Sequence, residues 1–329
     1  MTFSHKFCVA PMMAHTDRHF RYLLRLLSGQ AMLYTEMLTT GALLYGDAEK
    51  YLRFHAAERP LGIQLGGSDP EALAKCAGRA AEYGYDEVNL NLGCPSERVK
   101  SGRFGACLMA EPELVADCVK AMLETSAAPV TVKIRTGIDQ LDDYDYLQRF
   151  VATVSGAGCR TFIIHARKAW LQGLSPRQNR TLPPLQYEQV YRLKQDFPDL
   201  EIVINGGINS LDETQAHLRH VDGVMLGRAL CHNPYLLTGV DKTLFDVNNR
   251  ALSRMEALQR YLDYMETELA QGERLYAMVR HLLGLFRGQH GARAFRRHLT
   301  TRAVHKNAGV EVVREAAGLL GNLELIQRI

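Results

Sequence analysis

The chain is predicted to fold as a (β/α)8 TIM barrel followed by a small C-terminal all-α helical domain. Three observations carry this. Eight short apolar runs recur over the first 240 residues, separated by amphipathic stretches or loops. Nearly every run closes on a polar, charged or glycine residue. Beyond residue 240 such runs stop, and four helical patterns follow.

The runs occupy residues 7–12, 31–37, 61–65, 86–91, 130–135, 161–165, 201–205 and 223–226. Amphipathic stretches at 69–83, 112–124, 144–155, 187–195 and 210–218 lie between them, and two open on capping signals, Ser68-Asp69-Pro70 and Ser210-Leu-Asp-Glu213. A doubly wound open sheet is the alternative, weakened because no Gly-x-Gly-x-x-Gly follows any run. The barrel is expected over residues 1–240 and the helical domain over 241–329, with helices at 252–269, 273–287, 292–304 and 311–326. Breaks fall at Gly272, Gly288 with Gly291, and Gly309.

A hydrophobic share of 47% supports a sizeable core, and a net charge of +3 says little about partners. The seven cysteines are scattered, with no Cys-x-x-Cys, which argues against a disulfide framework or a zinc site and for reducing cytosol. No metal is expected. The first residues show no signal-peptide architecture and no apolar run reaches membrane-spanning length, so a cytoplasmic protein without membrane attachment is expected.

In such barrels chemistry sits at the C-terminal ends of the strands. The first run ends in Ala10-Pro11-Met12, with Met13 beside it, a backbone edge and a soft apolar surface. The third offers Gln64, donor and acceptor together. The fourth places Asn89 and Asn91 on one face and breaks at Gly93-Cys94-Pro95, where proline forces the chain out of the sheet and leaves a thiol on a loop. The fifth ends in Lys133 and Arg135, the sixth in His165. The last two close on Asn205-Gly206-Gly207 and Gly227-Arg228. Each has a bland reading: a turn cysteine, a rim charge, a hydrogen-bonded core histidine. Their concentration at one face is poorly explained that way.

Glycines after the seventh and eighth strands let backbone N–H groups approach an anion, and Arg228 can add charge, so a phosphorylated cofactor is expected. Phosphosugar isomerases and aldolases share that feature, and Lys133 leaves a Schiff-base aldolase open. The rest of the set favours a flavin. Gln64 suits the O4/N3 edge of an isoalloxazine, and Lys133 places positive charge by the N1/C2 oxygen of the reduced ring. His165 can share that region or meet the substrate.

The chain resembles the tRNA-dihydrouridine synthases, most of all their A subtype. The resemblance rests on Val9-Ala-Pro-Met12, Asn89-Leu-Asn-Leu-Gly-Cys-Pro-Ser96, Thr131-Val-Lys-Ile-Arg-Thr-Gly137, Ile163-Ile-His-Ala166, Ile204-Asn-Gly-Gly207 and Gly223-Val-Met-Leu-Gly-Arg228. The loop 167–180 carries the subtype. The resemblance implies reduction of the C5–C6 double bond of a tRNA uridine, at U20 and U20a of the D-loop, with bound FMN and with NADPH as electron source. It casts Cys94 as proton donor to C5, Lys133 and His165 as flavin contacts, and Asn91 as a contact to the uracil edge. No nicotinamide-binding fold is legible.

Charge distribution agrees with an RNA partner. Residues 274–306 hold eight Lys or Arg and four His with no acid, and residues 146–187 also lack acids. A solvated face usually mixes signs. Arg177 and Arg180 on the loop, and Arg293 and Arg296 on the helical domain, are expected to grip phosphates from opposite walls of a cleft, while Arg297 turns toward packing. Trp170 either stacks on a base or packs within its loop. The competing readings are a flavoenzyme on free pyrimidines, which needs no basic appendage, a non-catalytic RNA-binding protein, and the aldolase.

Overall fold

The computed structural model describes residues 3–321. Eight parallel strands are present: β1 (Phe7–Val9), β2 (Leu33–Thr39), β3 (Leu61–Gly66), β4 (Glu87–Asn91), β5 (Val130–Arg135), β6 (Thr161–His165), β7 (Glu201–Asn205) and β8 (Gly223–Leu226). Each pairs with its sequence neighbour from β2 to β8, and β8 pairs with β1. A bridge between Cys8 and Met32 completes the circle, with Val9 N donating to Met32 O at 2.8 Å and Met32 N to Phe7 O at 2.9 Å. The (β/α)8 barrel expected from the eight runs is therefore what forms.

The strand bounds follow local chemistry. β1 stops at Val9, although Ala10 N still donates to Leu226 O, because Pro11 has no N–H to continue the ladder. β2 runs further than expected, to Thr39, through a register shift between Tyr34 and Met37. Gly62 admits the Tyr34 ring there: a Cβ at that position would lie 2.8 Å from it. Helix Pro70–Glu82 begins where Asp69 accepts from Ala72 N and proline takes the first turn. Helix Leu211–His217 begins where Ser210 accepts from Glu213 N.

One half-circle of strands, β8, β1 and β2 with β6 and β7, contributes an apolar cluster to the core: Cys8, Ala10, Met32, Tyr34, Ile163, Val203 and Met225. At the N-terminal end of the barrel His5 is buried between two carboxylates, 2.5 Å from Glu87 and 2.8 Å from Glu201. Burial pulls the imidazole pKa down, but the Glu87 charge and the bonds to Glu201 and Glu87 outweigh it and lift the value to about 10. The imidazolium's contribution is thus complete below its ordinary value of 6.5 and is lost as pH rises through about 10. His5→Gln should cost about 3–5 kcal/mol at neutral pH, as expected when one partner of a buried pair is removed. In denaturant melts the gap between wild type and His5→Gln should narrow across that pH window, and a gap constant with pH would contradict the ion pair.

The described residues form two compact units. One holds the chain through Ala14 and Ala31–Gly227; the other holds His15–Gln30 and the chain from Arg228. The division falls earlier than residue 240, and the helix between β1 and β2, Arg18–Leu27, goes with the second unit. Its contacts explain this. Tyr22 stacks on Tyr264 at 4.0 Å, His19 bonds the Tyr264 hydroxyl at 2.8 Å, and Phe20 stacks on His281 at 5.0 Å. Arg18 pairs with Glu268 and, at 2.6 Å, with Glu273.

The second unit is helical, as expected, with helices Arg254–Ala270, Ala292–Arg302 and Glu311–Gly318 among its elements. The helix expected over 273–287 is instead a short helix, Leu275–Val279, and a 3-10 turn, Leu282–Gly284. His281, at the break, is held by Asp17 at 2.9 Å, a tertiary tie invisible in local periodicity. The expected helix at 311–326 is helical through Gly318, and its part from residue 322 lies outside the described residues. No helix of the described residues is long and apolar enough to cross a membrane.

Candidate active site

β4 organises the site. Alternation sends Glu87, Asn89 and Asn91 to one face, and the barrel stacks them against Gln64 on β3 and Thr131 on β5. Asn91 Nδ2 donates to Gln64 Oε1, Gln64 Nε2 to Asn89 Oδ1, and Asn89 Nδ2 to Thr131 Oγ1, each at 2.8 Å. Thr131 Oγ1 then donates to Glu87 at 2.5 Å, so a buried ladder runs from the strand ends down to His5. Satisfied at each rung, it fixes the orientation of its amides.

The remaining acceptor of Asn91 builds the Cys94 loop. Its Oδ1 accepts from Gly93 N at 3.2 Å and Cys94 N at 3.0 Å, turning the chain off the strand just before Pro95. Cys94 is half-buried, its Sγ 3.5 Å from Ser96 Oγ, and its carbonyl accepts from Ala106 N at 3.0 Å. The expectation of a thiol on a loop past a strand end matches this geometry. Asn91, expected at the uracil edge, is engaged with Gln64 and this loop.

Arg135, at the end of β5, was recognised from sequence only as a strand-end charge. Its Nε donates to Gly93 O at 2.8 Å, and its Nη1 donates to Lys168 O at 3.2 Å and Asn179 O at 3.0 Å. One buried guanidinium thereby fastens the Cys94 loop to the loop at 167–180. Asn179, which sequence reasoning passed over, is fully buried and folds that second loop on itself: it bonds both the N–H and the carbonyl of Trp170. The Trp170 ring is half-buried, with the Lys168 ammonium 4.1 Å from its centroid. Arg177 and Arg180 are exposed on this loop.

Lys133 Nζ donates to Asn205 Oδ1 at 3.1 Å, and Asn205 Nδ2 donates to Met225 O at 2.7 Å. Among the described residues no carboxylate pairs with Lys133. Burial, with the Arg135 guanidinium alongside, pulls its pKa from 10.5 to about 7. A half-buried amine beside a second cation and no carboxylate is a place where an anionic group gains most.

Gly206 and Gly207 follow with φ of +115° and +76°. A Cβ on Gly206 would lie 2.6 Å from the His165 ring, and one on Gly207 2.8 Å from Leu185 and the Tyr187 hydroxyl. On the far side of the barrel seam a Cβ on Gly227 would lie 3.4 Å from Ala10 and from Met12 Sδ, so the first and last strand ends adjoin. Pro11 and Met12 are half-buried and Met13 is exposed. These residues fit a phosphorylated, anionic flavin: an uncompensated lysine, an amide-lined edge and a glycine cradle.

Arg228 opens helix Arg228–His232, is exposed, and belongs to the second unit. On helix Ala292–Arg302, Arg293 is exposed and Arg296 half-buried; Arg297 is exposed too, a correction to its expected inward turn, since Phe295 and Leu299 take the buried face. Part of the basic run is engaged within the unit: Arg280 pairs with Asp17 at 3.2 Å, and His281 and His298 lie against Asp17 and Glu315. Arg287, Arg293, Arg296, Arg297, Arg302 and Lys306 form no ion pair among the described residues.

Comparison with known proteins places the chain in a family. The family model described as "Dihydrouridine synthase (Dus)" matches residues 8–319. A tRNA-dihydrouridine(20/20a) synthase of Shewanella oneidensis is 56% identical over 310 residues, 94% of this chain and 92% of that protein. One of Vibrio cholerae is 52% identical over 326 residues, 99% of each chain. Among solved structures, a 2-naphthoyl-CoA reductase in complex with 2-naphthoyl-CoA matches with a TM-score of 0.55 at 12% identity. That match covers 72% of this chain and 50% of the other, and shows a shared fold. The chain belongs to the dihydrouridine synthase family, flavin-dependent oxidoreductases that act on uridine in tRNA.

Proposed function

We propose that this enzyme reduces uridines 20 and 20a of the tRNA D-loop to 5,6-dihydrouridine, with FMN as its flavin and NADPH as electron source, in the cytoplasm. The position follows the two tRNA-dihydrouridine(20/20a) synthases to which the chain is similar. The observation that carries the chemistry is a half-buried thiol on a loop templated by Asn91, close to a lysine without a carboxylate partner. The amine would equally suit a Schiff-base aldolase, but membership of an oxidoreductase family removes that reading.

Bound FMN, once reduced, would supply the hydride that adds to uracil C6. The chain's residues do the rest. Lys133 holds positive charge toward the anionic edge of the cofactor, with His165 beside it, and Gln64 presents the amide edge. Asn205, Gly206, Gly207 and Gly227 leave room for the phosphate, and Ala10, Pro11, Met12 and Met13 border the ring. Cys94 Sγ–H gives its proton to C5, completing addition of one hydride and one proton across the double bond. The second hydrogen on Asn91 Nδ2 remains for a uracil oxygen. Arg177 and Arg180 in the barrel unit, and Arg293 and Arg296 in the helical unit, contact phosphates.

Arg135 acts on the thiol by position. Arg135→Ala strands three backbone carbonyls and frees Gly93, so dihydrouridine formation should fall roughly a hundredfold, the scale of a misplacement of about 1 Å. Arg135→Lys, lacking the fork, should not restore it. An Arg135→Ala enzyme with wild-type turnover would show that the loop holds its place unaided. The function itself is tested by dihydrouridine mapping in a strain lacking the gene: loss at 20 and 20a is expected, and retention there with loss elsewhere in the D-loop would reassign the position.

A further inference from the structure

Within the second unit a cavity of about 400 Å³ opens between the end of helix Arg228–His232, the 3-10 turn Leu282–Gly284 and helix Ala292–Arg302. Its lining is Cys231, His232, Leu283, Gly284, Arg287 and Arg296. We propose that this cavity is a discrete phosphate pocket for the tRNA backbone, closed on the anion by Arg287 and Arg296 with His232 as a further donor. This rests on the tRNA reading above and goes beyond it, because it separates Arg296 from Arg293 and recruits three residues that sequence did not single out: Arg287, His232 and Gly284.

Two guanidiniums face one cavity that no carboxylate lines, and neither has an ion pair among the described residues. Arg296 is half-buried, so its charge has given up part of its water without gaining a partner. That arrangement is costly when empty and favourable around an anion with several acceptor oxygens, for which two forks are well shaped. The cysteine adds no opposing charge: burial pushes its pKa up to about 11, so the thiol stays neutral. Gly284 makes the floor. A Cβ there would lie 2.8 Å from Cys231 O and 2.9 Å from His232 O, so a side chain would force the turn away from the helix end. Leu283 supplies an apolar wall suited to a sugar face. The neighbouring unpaired cations, Arg293 and Arg297, extend positive charge along the same helix and favour a polyanion over a small molecule.

The test uses the full-length, flavin-loaded protein and an unmodified tRNA transcript. Arg287→Gln with Arg296→Gln should weaken tRNA binding by about tenfold or more per residue, and the slope of log affinity against log salt should shrink by about two. Arg287→Lys with Arg296→Lys keeps charge but loses the forks, and should recover the salt slope but not the full affinity. Should the double Gln variant fail to fold, judged by its melt, Arg287→Gln alone at an exposed position should lower the slope by about one. Wild-type affinity and slope in the folded variants would overturn the pocket while wild-type protein still forms dihydrouridine, which separates this failure from failure of the tRNA reading. A raised KM for NADPH with tRNA affinity intact would also overturn it, assigning the pocket to a dinucleotide phosphate instead.

Discussion

A Cys94→Ala enzyme is expected to purify with its flavin, to accept electrons from NADPH, and to form dihydrouridine roughly a hundred- to ten-thousandfold more slowly, the scale of a lost general acid. The split between the two half-reactions follows from the geometry. Cys94 sits on a loop held through backbone atoms, by Asn91 Oδ1 at its N–H and by Ala106 at its carbonyl. Neither bond uses the thiol, so truncation leaves the loop and the lysine–amide site in place. What is lost is the Sγ–H proposed to give C5 its proton. Cys94→Ser should be intermediate at best, a hydroxyl being the poorer acid. Wild-type turnover by Cys94→Ala would remove the thiol from the chemistry and leave the loop with a shaping role alone.

The second large effect concerns Lys133. Because its pKa lies near 7 without an anion beside it, the apoprotein holds this amine neutral through much of the alkaline range. An anionic cofactor favours the charged form and raises that value, so binding above about pH 7 must take up a proton. Affinity of the apoprotein for FMN should therefore fall as pH rises past about 7, by up to tenfold per unit. The sign for stability is opposite. A lysine depressed in the fold relative to its unfolded 10.5 makes the apoprotein more stable as pH climbs from about 7 toward that value. Lys133→Met should bind FMN weakly with a flat pH profile, and a profile as steep as that of wild type would place the titrating group elsewhere.

The barrel was legible because its signals are local. Each strand is a short apolar run closed by a turn, and all eight lie within a few residues of their expected bounds. The Cys94 loop was legible for the same reason, since Gly93-Cys94-Pro95 breaks a strand wherever it occurs. What escaped depends on partners distant in sequence. Arg135 looked like one more rim charge; its role lies in carbonyls contributed by Gly93, Lys168 and Asn179. Gln64 is legible as a candidate cofactor edge, while its link to Asn89 and Asn91, which joins two strands, is set by register. His5, before the first strand, carried no motif at all. Helix Arg18–Leu27 was missed as an element and grouped with the barrel by chain order, whereas its aromatic face packs on Tyr264 and His281.

The central claim is that one site joins the flavin, Cys94 and a tRNA uridine, and one anaerobic experiment reaches all three. The purified protein is reduced with NADPH until its yellow colour bleaches, excess NADPH is removed, and unmodified tRNA transcript is added. The flavin absorbance should return in step with dihydrouridine at positions 20 and 20a, rapidly for wild type and slowly for Cys94→Ala. A colourless protein that FMN cannot reconstitute, or a reduced protein that tRNA fails to reoxidise, would contradict the account.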